Sequence, residues 1–388
     1  MTPKSEPVRR ETQQNVRDAF ALDPDWLHLN HGSFGARLKA VLTAQEAVRR
    51  RLEQNPTRWL VDEFPPALAR SREAVGQWLG TRSESLAFFP SVTQAMNTAI
   101  RGFPDECKGR IVTTDQGYGA VDRALRYAAS RAGGEVVLVP VPVPFNEPEF
   151  LAQWQRALEQ GATLAVMDHI TSPTGIELPV QAASHLAESL GIPVIVDGAH
   201  APGQLPLEVD CLGVAAYVGS LHKWGSGPLG SAFLAMPDVA AVDPLVVGWG
   251  WQAGDDYQFP TAHDWPGTFD PSGLAALPDW LEQRKEYGLD SMDTCRERAF
   301  RFEQEVADRV GLPLPRGSSP QTCMSAFEVR SPNEAFRIRT ELKEKHRCMV
   351  NAGVVGARGF VRASFYHYNT EDDGHRLLDL LGRVGAFR

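Results

Sequence analysis

No apolar run in this 388-residue sequence is long enough to span a bilayer, and its opening residues, MTPKSEPVRRETQQ, lack the apolar stretch of a secretory leader. Membrane partners are therefore not expected. Positive charge is in deficit: 39 Lys and Arg stand against 48 Asp and Glu, for a formal net charge of −9 and a pI near 5.6. That balance argues against a nucleic acid or an anionic lipid surface as partner. Cysteine is scarce, and the five present, at 107, 211, 295, 323 and 348, form no CxxC or metal-ligand spacing, so no metal site is expected and a reducing cytoplasm is. A G-x-x-x-x-G-K phosphate loop and an H-E-x-x-H zinc helix are both missing. Gly225 to Gly230 fits G-x-G-x-x-G, but it precedes the apolar run Ser231 to Met236 instead of opening a helix, which removes the context a dinucleotide site needs. Internal repeats and low-complexity tracts are also lacking.

What is present is alternation. From about Arg37 to Met236 helical and strand patterns take turns, with strands expected near 86–89, 110–114, 135–140, 163–168, 193–197, 214–219 and 231–236. This predicts a layered α/β sheet. The runs Pro193 to Val196 and Val214 to Gly219 are apolar on both faces, as central parallel strands covered by helices are. Gly273 to about Val310 reads helical with a break near Gly288, and the Pro-, Gly- and Ser-rich stretch Gly311 to Pro320 separates a second unit. There the pattern predicts strands over 323–329, 347–351 and 359–365, a helix over 333–345 and a last helix from Thr370.

Asp197 closes one of the apolar runs and Lys223 follows the other, with Ser220 and His222 beside it. A carboxylate next to so apolar a strand is costly unless it meets a cation. An acid to keep a pyridine nitrogen protonated and an amine to carry an aldehyde are what pyridoxal 5'-phosphate (PLP) chemistry requires. Ser220-Leu221-His222-Lys223 resembles the lysine motif of class V of the fold type I PLP enzymes, and further matches extend along the chain. Phe88 to Asn97 resembles that family's strand, phosphate turn and helix start, and Thr113 to Ala120 its turn bearing an aromatic. Asp168 to Gly175, Trp265 to Ser272 and Val361 to Thr370 resemble its cofactor loop, glycine-threonine loop and arginine strand. Leu29-Asn30-His31-Gly32-Ser33-Phe34-Gly35 and Asn55-Pro56-Thr57-Arg58-Trp59 add a likeness to the isopenicillin N epimerase-like subgroup.

The resemblance implies an α/β protein: a three-layer α/β/α PLP-transferase of the aspartate aminotransferase-like, fold type I kind, with a mostly parallel central sheet. Residues 24–280 would form the large PLP-binding domain and 281–388 a smaller α+β C-terminal domain, with 1–23 an arm packing near it. Lys223 would be the Schiff base residue and Asp197 the partner of the pyridine nitrogen. Ser91, Val92, Thr93, Ser220 and His222 would hold the phosphate, Tyr118 would stack on the ring, and Asp168, Thr171 and His200 would lie about the O3′ side. Thr268 would reach the partner's phosphate across a homodimer with shared sites. Arg362 would clamp a substrate α-carboxylate, a role its two-point fork suits. Arg58 is a second candidate anion contact, and His31 or Ser33 would line the substrate entrance.

The reaction implied acts at the α-carbon of an amino acid or amino-acid-derived substrate through an external aldimine, with epimerisation or racemisation first. Alternatives are a carbon–sulfur lyase of the ergothioneine-pathway type and a class V aminotransferase. Cysteine desulfurases need a nucleophilic cysteine on a loop before the arginine, and residues 349 to 361, MVNAGVVGARGFV, hold none. A Rossmann dehydrogenase would need a glycine fingerprint, and Ser91-Val92-Thr93 has no glycine. A non-catalytic binding protein would have no need of the amine.

Overall fold

The doubly apolar runs occupy the centre of a sheet. In the computed structural model, which describes residues 16–237, 242–254, 257–311 and 313–387, β1 (Leu27–His28) precedes seven strands that form one sheet. These are β2 (Leu86–Phe89), β3 (Arg110–Thr114), β4 (Glu135–Val139), β5 (Ala162–Asp168), β6 (Val194–Gly198), β7 (Ala216–Ser220) and β8 (Ala232–Ala235). Their order is β2-β8-β7-β6-β5-β3-β4, with β8 alone running against the others. The mostly parallel sheet is thus as the sequence pattern predicts.

Burial on both faces is visible residue by residue. Ile195 belongs to the core under the helices Val92–Arg101 and Gly119–Ala132, while Val194 and Val196 on the same strand belong to the core on the opposite face. Each such side chain contributes about 1.5–3 kcal/mol by leaving water. Because the parallel strands all point one way, β2, β3, β5, β6 and β7 deliver their carboxyl ends, and the loops after them, to one edge of the sheet.

The C-terminal region has its own antiparallel sheet, ordered β11-β12-β9, from β9 (Met324–Val329), β11 (Asn351–Val355) and β12 (Arg358–Ser364), beside the helices Asp293–Val310, Pro332–His346 and Glu371–Arg383. Here the structure corrects the expected single strand over 347–351. The chain divides at Val350: β10 (Cys348–Met349) pairs in parallel with β1, and β11 turns at Gly356 (φ +56°) to pair with β12. That two-residue loop, Gly356-Ala357, carries no Asn-Gly or Asp-Gly signal, so the hairpin was not legible.

Of the arm expected over 1–23, residues 1–15 lie outside the described residues. Further on, Arg17 pairs with Asp373 at 3.3 Å, and the Phe20 ring meets Tyr366 and Tyr368 edge-on. Among the described residues no helix is long and apolar enough to cross a membrane.

Candidate active site

At the carboxyl edge of the sheet opens a cavity of about 580 Å³, a volume suited to a small molecule. One end is built for an anion. Ser91 caps the helix Val92–Arg101, its Oγ accepting from the Gln94 amide at 3.2 Å, and the cap together with Val92 and Thr93 lines the cavity. Backbone amides in the first turn of a helix have no intrahelical partner, so they face a ligand ready to donate. Ser220 and His222 border the same end. His222 Nδ1 lies 3.3 Å from both Ser220 Oγ and the Ser231 carbonyl, and burial holds its pKa down to about 4, so the ring is neutral near pH 7.

Lys223 lines the same cavity. Its Nζ stands 5.9 Å from the centroid of the half-exposed Tyr118 ring. Burial lowers the lysine pKa to about 8, against the opposing pull of Asp197. Asp197, at the end of β6, is buried and accepts the Ala199 amide at 3.0 Å. Burial raises its pKa while Lys223 works to lower it. Asp168 sits opposite Asp197 in the strand register, accepts Thr114 Oγ1 at 3.3 Å, and is pushed well above the usual range by burial and then by Asp197. Two buried carboxylates side by side call for positive charge, and a protonated pyridine nitrogen is one form of it.

The backbone of the lysine loop is gripped by side chains from distant parts of the chain. His31 Nε2 donates to the Lys223 carbonyl at 2.9 Å, Tyr366 Oη to that of Trp224 at 3.0 Å, and Arg284 Nη1 and Trp280 Nε1 to that of Gly225 at 2.7 and 2.8 Å. Trp224 passes the order on. Its indole N–H donates to His200 Nδ1 at 3.2 Å, and an indole nitrogen can only donate. The neutral His200, its pKa lowered well below normal by burial, therefore carries its proton on Nε2 and offers a donor to the cavity it lines. Gly35 completes the seat at φ +67°. A Cβ there would lie 2.0 Å from the His222 carbonyl oxygen, so only glycine lets the N-terminal turn lie against the lysine loop.

Arg362, on β12, lines the same cavity. It is 1% exposed, one Nη donates to the Ser172 carbonyl, and its buried Nε has no partner. Burial lowers its pKa to about 10, which leaves it charged at pH 7. An unpartnered donor on a buried guanidinium marks a place for a carboxylate.

The structure thus brings Ser91, Val92, Thr93, Tyr118, His200 and Ser220 to one cavity, with His222, Lys223, Ser33 and Arg362, while Asp197 and Asp168 stand buried at the neighbouring strand ends. Three placements differ from expectation. His31 is fully buried beneath the lysine loop, stacked on Tyr366 at 3.6 Å with its second nitrogen on Tyr368 Oη at 3.0 Å, so neither nitrogen is free for substrate. Thr171 is buried in its own turn. Its Oγ1 accepts the Ile176 amide and bonds Thr174 Oγ1, whose proton goes to Gln116, so its one proton is used within the loop. Arg58 is exposed and pairs with Glu63 at 3.3 Å, away from the cavity. Thr268 is exposed and outside this chain's own cavity. Sequence reasoning missed Asn30 and Ser172, which line the cavity, and Tyr366, Arg284 and Trp280, which hold its lysine loop. Asn30 and Ser172 sat inside quoted motifs, whereas Arg284 and Trp280 gave no signal.

The fit to PLP is complete in kind: an anion seat, an acid, an amine, a flat aromatic and a carboxylate fork. The sequence profile described as aminotransferase class V matches residues 37–377. The chain belongs to the class V aminotransferases. Like that family it is a PLP-dependent enzyme of fold type I. It is 28% identical over 386 residues to the isopenicillin N epimerase of Streptomyces clavuligerus, an alignment covering 95% of this chain and 97% of that protein. It is 27% identical to the probable chloroplastic L-cysteine desulfhydrase of Arabidopsis thaliana, across 92% of this chain and 83% of that one. Its fold superposes, with a TM-score of 0.79 at 20% identity over the whole of both chains, on a C-DES variant with glycine covalently linked to its PLP cofactor.

Proposed function

We propose that this enzyme epimerises or racemises an amino acid, or a compound derived from one, at its α-carbon. The observation that carries the reading is that Lys223, an amine poised near pH 8, and Arg362, a buried guanidinium with a free donor, share one cavity. Bound there, PLP supplies an electron sink for a bond at the α-carbon. Lys223 would carry the cofactor, and its amine would be the base that moves the α-proton. Asp197 would hold the pyridine nitrogen protonated. The amides at Val92 and Thr93, with Ser91, Ser220 and His222, would bind the phosphate. Tyr118 would cover the ring, His200 Nε2–H and Asp168 would serve the O3′ side, and Arg362, oriented by the Ser172 carbonyl, would fix the α-carboxylate.

A carbon–sulfur lyase, as the likeness to a cysteine desulfhydrase suggests, is the second reading, since both reactions begin by moving the same proton. Transamination is a third. Desulfurase chemistry is disfavoured: Cys348, the cysteine bordering the cavity, is buried, and burial pushes its thiol up to about 12, where no thiolate forms at neutral pH.

The protein would act as a cytoplasmic homodimer in which Thr268 of one subunit reaches the other's phosphate seat. Support comes from the exposed position of Thr268, from the exposed Val246, Val247 and Trp249 (89% exposed), and from five free cysteines. Incubating holoenzyme with amino acids, cysteine conjugates and their sulfoxides in deuterated water tests the reaction. Inversion with α-deuteration and no pyruvate supports the epimerase, pyruvate supports the lyase, and no α-exchange from any of them overturns both. Borohydride mapping that placed the pyridoxyl group on a lysine other than 223 would overturn the site, and a monomeric mass by light scattering would overturn the shared dimer.

A further inference from the structure

We infer that the substrate carries a second anionic group, distal to its α-carboxylate, which Arg339 and Lys343 receive at the mouth of the cavity. The inference rests on the amino-acid reading above and extends it to a substrate class: α-amino acids whose side chain ends in a carboxylate or another anion.

The cavity that Lys223 and Arg362 line is lined also by Asn30 and Asn351, both neutral, and by Arg339 and Lys343 of the helix Pro332–His346. Residues four apart lie on one helical face about 6 Å apart along the axis, so the two cations address the same opening. The charge along this helix is not distributed at random. Arg337 pairs with Glu334 and Glu341, Lys345 pairs with Glu341, and Lys343 pairs with Glu344 at 2.9 Å. Arg339 is the exception: among the described residues it has no carboxylate partner, and its guanidinium lies over the Phe336 ring of the same helix, 5.2 Å from the centroid.

The lining as a whole points the same way. In a chain with a formal net charge of −9, Glu344 is the one carboxylate among the described residues that line this cavity, against Lys223, Arg339, Lys343 and Arg362. Its charge is already engaged by Lys343, which makes Arg339 the anchor and Lys343 the auxiliary. A simple aliphatic amino acid would leave this end of the cavity to water. An anion at the far end of a longer side chain would be drawn in by the surplus cations and held in two-point geometry by the guanidinium.

The test is an equilibrium titration of the holoenzyme, followed by the cofactor absorbance. L-glutamate, L-2-aminoadipate and L-2-aminopimelate are compared with their side-chain amides. The expected result, set by exposed cations, is a preference of about three- to tenfold for the acid over its amide at one chain length, weakening as salt is raised. The preference should collapse towards one in Arg339→Gln/Lys343→Gln and reverse in Arg339→Glu. Equal binding of acid and amide at every length would overturn the distal site while leaving the amino-acid reading intact, as would a preference that persists in the double variant. If neither acids nor amides perturbed the cofactor spectrum, the amino-acid reading itself would fall and the distal site with it.

Discussion

Replacing Arg362 by lysine separates charge from geometry. The arginine is 1% exposed, gives one Nη to the Ser172 carbonyl, and keeps a buried Nε without a partner. Lysine preserves a cation but not the fork. The three N–H donors of its ammonium diverge from one nitrogen, so it cannot present two parallel bonds to a carboxylate, and the burial that lowers the arginine to about 10 acts on a lysine with less reserve. Losing one partner of a desolvated charge pair costs about 2–5 kcal/mol. Since Arg362→Lys retains part of the Coulomb attraction, about 2–4 kcal/mol of transition-state binding should go, which is roughly 30- to 1,000-fold in kcat/KM. The assay is α-proton exchange into deuterated water, with the cofactor spectrum and the thermal midpoint recorded in parallel to exclude a folding defect. A variant whose spectrum and midpoint match the wild type and whose kcat/KM lies within threefold of it would refute the carboxylate clamp.

The lysine itself predicts a pH dependence. With Lys223 at about 8 in the cofactor-free protein, the rate of PLP capture should rise with pH to a midpoint near 8 and then level, and a midpoint at 10 or above would show an ordinary surface amine. The sign for stability follows by linkage: between about 8 and the ordinary lysine value the unfolded chain binds the extra proton, so the cofactor-free fold should gain stability as pH rises through that window. Tyr366→Phe removes the donor to the Trp224 carbonyl and the acceptor of Ser226 Oγ. It should cost about 1 kcal/mol of stability and lower kcat more than it raises KM, and equal kcat would show that the loop holds without it. Gly35→Ala forces a side chain at φ +67° into the His222 carbonyl. Strain of this kind costs about 1–3 kcal/mol, visible as a lower melting point and reduced PLP occupancy, and normal occupancy at an unchanged melting point would contradict the close approach.

Much of the sheet was legible because doubly apolar, β-branched runs between turn residues leave little choice of structure, and the polar residues just beyond them, Asp197, Ser220 and Lys223, had to fall at the carboxyl edge. Arg362 was legible only through resemblance, since a lone arginine in a strand pattern carries no sign of burial. His31 was misread because a histidine in an N-terminal turn has no periodic context, and its stacking partner Tyr366 lies 335 residues away. Thr171 was misread for a different reason: a hydroxyl donates one proton, and whether the loop or a ligand receives it depends on Thr174 and Gln116, which sequence does not bring together. The β11–β12 hairpin escaped because its turn uses Gly356-Ala357 where the usual turn residues would have announced it.

The grip on the lysine loop has a consequence for how this enzyme comes into being. The carbonyls of Lys223, Trp224 and Gly225 are held from residue 31 on one side of the sequence and from residues 280, 284 and 366 on the other. Contacts of such wide sequence separation form late. On a ribosome, therefore, Lys223 emerges before Trp280, Arg284 and Tyr366, the residues that hold its loop from the C-terminal side. A chain cut short of Arg362 would lose the carboxylate clamp and the Tyr366 contact together, leaving the lysine loop held by His31, Trp280 and Arg284 alone. The contacts on these three carbonyl oxygens are thus complete only once the chain has been made through residue 366.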